Sequence, residues 1–115
     1  MESHKDLKVW QESMNLVVEI YKITNYFPKE ELYALTSQMK RSALSIPSNI
    51  AEGAGRNGKA EYCRFLNIAL GSASELETQI EIAYRLNFIS DIKNLDSKIR
   101  FIKNMLSKLI KSLSS

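Results

Sequence analysis

The chain has 115 residues, 44% of them hydrophobic, with four glycines, two prolines and a net charge of +3. That length suits one core, and the scarcity of Gly and Pro excludes a loop-rich or disordered chain. The charge permits a polyanionic partner without demanding one, the lone Cys63 excludes an intrachain disulfide, and no apolar run approaches the roughly 18 residues of a membrane span. Mixed charges near the N-terminus show no signal peptide, so a cytoplasmic location away from membranes is expected.

A first helix is predicted over residues 6–26, with Asp6 at its N-cap. Leu7, Trp10, Met14, Val17 and Tyr21 recur at alternating spacings of three and four, the pattern of a buried bundle seam. A second stripe, Val9, Leu16, Ile20, Ile23 and Phe27, lies about 100° round the helix. Two apolar stripes require more than one neighbour. Phe27-Pro28 ends the helix, because proline biases the preceding residue away from helical geometry.

The second helix is predicted over residues 29–52, with Glu30 and Glu31 against its positive end and Leu32, Leu35, Met39, Ala43, Ile46 and Ile50 as its seam. Pro47 lacks the N–H that would bond the Ala43 carbonyl, so a kink or one-turn break is expected there. Asn49 and Glu52 have capping-box spacing for a fresh start, and Gly53 opens a Gly-rich linker that closes at Gly58.

The third helix spans residues 59–86, burying Tyr62, Phe65, Leu66, Ala69, Ala73, Leu76, Ile80 and Ala83. Gly71 in its middle costs about 1 kcal/mol relative to alanine, which a close helix approach would offset. Asn87 suits a left-handed stop. The fourth helix, residues 91–113, starts at Ser90-Asp91 and separates an apolar arc from a basic one holding Lys93, Arg100, Lys103, Lys108 and Lys111. Phe101 and Met105 belong to neither arc and, with Asn94, form a lateral strip suited to another subunit. The whole chain is thus expected to form one all-α domain, an up-and-down antiparallel four-helix bundle with its second helix kinked near Pro47.

Catalytic chemistry is short of parts. The single histidine, His4, sits at the N-terminus, no inward-facing Glu-x-x-His pair exists for a metal, and the Gly53–Gly58 run lacks the Gly-Lys-Ser/Thr ending of a phosphate loop. A non-enzymatic protein without cofactor or metal is expected. Basic residues gather instead: residues 40–64 carry five bases against two acids, and residues 91–115 carry six against two. Lys40, Arg41, Arg56, Lys59 and Arg64 are therefore the candidates for nucleic-acid phosphate, for which guanidinium groups suit both charge and geometry. Pro47, Asn49, Glu52, Gly53 and Glu75 are read as structural, with Asn49 and Glu52 either capping or holding an arginine.

Trp10, Phe27-Pro28, Glu31, the run Gln38 to Arg41, SIPSNIAEGAGR from Ser45 to Arg56, then Tyr62, Arg64 to Leu66, Ala69 and GSASELETQ from Gly71 to Gln79 resemble the bacterial four-helix-bundle or 23S rRNA intervening-sequence proteins. The resemblance spans about residues 7–89. It implies an up-and-down bundle, assembly into a homopentamer, and kinship with the accessory protein of diversity-generating retroelements, which binds a reverse transcriptase and nucleic acid. From it follow the partners expected here: other copies of the chain, RNA or DNA backbone, and, as an alternative, a reverse transcriptase. A purely structural oligomer is the third reading.

Overall fold

The computed structural model describes residues 3–114, and among them helices α1 (Lys8–Thr24), α2 (Ser37–Ala54), α3 (Lys59–Arg85) and α4 (Lys93–Ser114) run up and down in chain order. Each helix packs on its sequence neighbours, and α1 closes the bundle against α4. The long axis of 43 Å is about the length of α3 itself, as 27 residues at roughly 1.5 Å each require. The core is built from Leu16, Ile20, Met39, Ile46, Leu66, Leu76, Ile99 and Leu106, among others, all essentially without solvent contact.

The core stripe of α1 differs from the first expectation. Val9, Leu16, Ile20 and Phe27 are buried, whereas Met14 and Tyr21 of the supposed principal seam are exposed and Leu7, Trp10 and Val17 only partly covered. Ser13 and Thr24 share the true core face, each returning its hydroxyl hydrogen to a carbonyl four residues earlier, Val9 at 2.6 Å and Ile20 at 2.8 Å. The stripe free of polar residues is thus the flank that α1 turns toward α2, where Trp10, Met14 and Val17 line a shallow groove with Leu44, Pro47 and Ala51. Asp6 is not the cap of α1. It closes a capping box with Ser3 around the 3-10 turn His4–Asp6, and His4 rests edge-on against Trp10 at 5.2 Å.

Helix α2 stays helical through Pro47, so the expected one-turn break is absent. Ile46 and Ile50, fully buried on either side of Pro47, hold the backbone in the core across the missing N–H. The departure from helical backbone lies earlier, at Ala34 (φ −123°, ψ −108°), inside the π turn Leu32–Thr36 that follows the 3-10 turn Lys29–Glu31. Asn49 consequently sits mid-helix rather than at a fresh start. Its side-chain amide donates to the Ser45 carbonyl at 2.8 Å and to Ser45 Oγ at 2.9 Å, and that hydroxyl contacts Ser72 Oγ of α3 at 2.7 Å.

Helix α3 ends as Asn87 allows. With φ at 65°, Asn87 lets its own N–H reach the Tyr84 carbonyl and the Phe88 N–H reach that of Ala83, the paired bonds of a left-handed helix stop. Phe88 then packs on Phe27 with ring centres 5.4 Å apart, tying the end of α3 to the end of α1. Asp91 accepts from the Lys93 N–H at 3.0 Å to start α4, whose Leu95, Ile99, Ile102 and Leu106 enter the core. Gly71, by contrast, faces open space, so close packing is not its role.

Candidate nucleic-acid interface

The corner between α2 and α3 is shaped by a close approach. A Cβ added to Gly53 would stand 2.9 Å from Phe65 Cβ, 3.0 Å from Tyr62 Cδ1 and 3.2 Å from the Tyr62 carbonyl, so only a glycine lets the last turn of α2 pack on the first turns of α3. Gly58, at φ +91°, then turns the chain into α3.

That turn sets two arginines on one ring. Arg56 lies over Phe65 at 5.0 Å and Arg64 at 4.8 Å, while their charges are shared with Glu52 at 3.0 Å and Glu61 at 3.6 Å. Glu52 therefore holds Arg56, one of the two roles expected of it. Both pairs are well exposed, and exposed pairs are worth at most about 1 kcal/mol, so a phosphate can exchange for either carboxylate. Lys59 is exposed and makes no ion pair among the described residues, and no side chain caps the N-terminus of α3 beside it. Burial raises the Tyr62 phenol above its ordinary value of 10.0, and its hydroxyl has no hydrogen-bond partner among the described residues.

Not all five basic candidates meet here. Lys40 and Arg41 sit near the start of α2, roughly 22 Å along the helix from Arg56 at about 1.5 Å per residue. Lys40 is committed to α1, its ammonium 4.7 Å from the Tyr21 ring centre, and Arg41 stands exposed with no ion pair among the described residues. Two residues not singled out for this end join it instead. Cys63 Sγ lies 3.9 Å from the Ile110 carbonyl and 3.8 Å from Ser114 Oγ, so the last turns of α4 flank the first turns of α3 and bring the exposed Lys108 and Lys111 to the same end. The missing signal was topological: in an up-and-down bundle the C-terminus of a fourth helix returns to the N-terminus of the third.

The remaining candidates are dispersed. Glu75 is exposed on α3 with no hydrogen bond or ion pair among the described residues, so it locks no turn. Phe101 is exposed on α4, Met105 packs partly onto the core, and Asn94 donates to Glu19 of α1 at 3.3 Å. Lys98 pairs with the same Glu19, and Lys103 with Glu77 of α3 at 3.1 Å, which withdraws Lys103 from the free basic arc. His4 packs on Trp10 whereas Cys63 lies against α4, so the two form no couple. Among the described residues no group of three or more His, Cys, Asp or Glu is placed to hold a metal, and no helix is long and apolar enough to cross a membrane.

Fold and corner together define a small all-helical bundle protein with a basic end. The chain belongs to the 23S rRNA-intervening sequence protein family, whose model matches residues 5–108. A comparison with curated proteins returns no match. Among solved structures it is similar to a protein with unknown function from the S23 ribosomal protein family of Bacteroides thetaiotaomicron, at 27% identity and a TM-score of 0.83, covering 90% of this chain and 95% of that one.

Proposed function

We propose that this protein works without catalysis, as a homo-oligomeric helical bundle that holds RNA or DNA backbone on its basic end. The observation that supports it most is the convergence of Arg56, Lys59 and Arg64 with Lys108 and Lys111 at one end of the bundle. Membership of a family described by a 23S rRNA intervening sequence favours RNA, and the resemblance favours five copies, each repeating the basic end. At the basic end Phe65 is buried and Trp10 mostly covered, and the well exposed Tyr26 and Tyr33 lie at the opposite end of the bundle, so recognition there rests on charge and shape.

Titration of labelled RNA and DNA at about 50 and about 200 mM salt tests this reading. Three phosphates neutralised per subunit predict a loss of affinity of roughly 40-fold for duplex DNA and roughly 20-fold for single strands between the two conditions. Unchanged mobility of both nucleic acids at low salt, over a wide range of protein, would overturn it. The groove of Trp10, Met14, Val17 and Leu44 favours a second reading, a protein-binding accessory subunit of the reverse-transcriptase partner type. A reverse-transcriptase gene beside this one, together with absent nucleic-acid binding, would select that alternative.

A further inference from the structure

The end of the bundle opposite the basic corner holds a cleft that the proposed function does not use. It lies between the last turns of α1 and the turn that leads into α4. Its volume is about 410 Å³, within the roughly 300–1,000 Å³ usual for small-molecule sites. The deeper lining is apolar: Ile89 and Leu95 are buried, Ile23 is half-buried, and Phe88 is held in place by its packing on Phe27. Tyr26 forms the lip. It stands 88% exposed, although the bond from its N–H to the Ile23 carbonyl at 3.1 Å fixes the turn that carries it. An aromatic ring left this bare beside an apolar lining gains by covering another apolar group.

The charged groups of the cleft divide into used and unused. Glu19 accepts from Asn94 at 3.3 Å and pairs with Lys98, so its charge is taken up within the bundle. Lys22, one turn further along α1, is exposed and has no ion pair or hydrogen bond among the described residues. Asp91 lines the same cleft from the turn before α4. One of its oxygens accepts the Lys93 N–H at 3.0 Å, and the other has no hydrogen bond among the described residues. No ion pair joins Lys22 to Asp91, so neither neutralises the other. A purely anionic ligand would meet Asp91, and a purely cationic one Lys22. A ligand that carries a carboxylate, an ammonium and an apolar group on one small frame complements all three features at once.

We propose that this cleft binds a free amino acid with an aromatic or large aliphatic side chain, its carboxylate on Lys22, its ammonium on Asp91 and its side chain against Tyr26, Phe88 and Ile89. Calorimetric titration of the full chain with L-phenylalanine and three analogues tests it. L-Phenylalanine should saturate one site per chain with a Kd below about 10 mM. Phenylpropionate lacks the ammonium and phenethylamine the carboxylate, and each should bind about fivefold more weakly. Glycine, which has both charges and no ring, should not bind. Two variants assign the charges. Lys22→Met should weaken L-phenylalanine and phenylpropionate and leave phenethylamine no weaker, whereas Asp91→Asn should weaken L-phenylalanine and phenethylamine and leave phenylpropionate no weaker. Both positions are exposed, and asparagine caps a helix as well as aspartate does, so both variants should fold. The analogue series on the wild-type chain decides the matter even for a variant that does not. No saturation by L-phenylalanine, analogues that bind as well as it does, or variants that weaken all three ligands alike would each overturn the site.

Discussion

Gly53 and Phe65 are so close that a Cβ on the glycine would stand 2.9 Å from the Cβ of the phenylalanine, a separation that real Cβ atoms do not adopt. The Tyr62 carbonyl at 3.2 Å closes the other side, and a backbone atom cannot rotate away as a side chain can. Gly53→Ala gains about 1 kcal/mol of helix propensity but costs about 1–3 kcal/mol by overpacking. The expected net outcome is a loss of up to about 2 kcal/mol in urea denaturation, with the Arg56 and Arg64 guanidiniums displaced from the Phe65 ring.

Gly71→Ala should do the opposite. It lies inside α3 in helical backbone, and nothing stands within 4 Å of a Cβ built there. Without a clash, only the entropic advantage of alanine remains, so a gain of about 0.5–1 kcal/mol is expected, read as a Tm higher by a few degrees.

Asn87 separates two effects at one position. Its φ of 65° closes the paired bonds that end α3, and glycine adopts that angle without strain. Asn87→Gly should be neutral or slightly stabilising, whereas Asn87→Val should cost about 1–2 kcal/mol. Thermal melts of the two variants check the difference, and equal melts would mean that the left-handed turn contributes nothing to stability.

The four helices were legible because their periods are long and their stops are chemically explicit: Phe27-Pro28, Gly53 to Gly58, and Asn87. Which stripe of α1 faces the core was not, since two stripes share one period and Ser13 and Thr24 gave the true core face a polar look that their backbone bonds cancel. Of the two outcomes expected at Pro47, a kink or a one-turn break, the break does not occur, because burial of Ile46 and Ile50 on either side keeps α2 helical. The basic candidates were grouped by sequence distance, but Lys40 and Arg41 are carried along α2 away from Arg56, while Lys108 and Lys111 arrive from the far end of the chain. Period reveals elements, and only the packed topology reveals which charges share a surface.

Tyr62 offers a titration test. Its phenol is pushed above 10.0 by burial, so the folded chain holds that proton more tightly than the unfolded one. The stability this contributes is complete below the unfolded value near pH 10 and is lost as pH rises through the higher folded value. Tyr62→Phe removes a buried hydroxyl that has no partner. At neutral pH the variant should be neutral or up to about 1 kcal/mol more stable. Its stability should also fall less than that of wild type above pH 10, and parallel alkaline melting of the two proteins would show that Tyr62 is not the titrating group.

Lys59, between Arg56 and Arg64 in sequence, has no ion pair among the described residues, so it should carry phosphate binding more directly than either arginine, each of which already shares an acid. Lys59→Gln should lower the slope of log affinity against log salt by about 0.9 for duplex DNA and about 0.7 for single strands, the release of one counterion. Lys29→Gln removes the same charge from the opposite end of the bundle, where the exposed Lys29 precedes Glu30 and Glu31. It should leave the slope in place and shift affinity only slightly. The pair of slopes therefore distinguishes a localised basic end from diffuse attraction by net charge: if both variants lower the slope equally, the charge acts as a whole-molecule field and the corner geometry of Gly53, Phe65 and the two arginines has no part in binding.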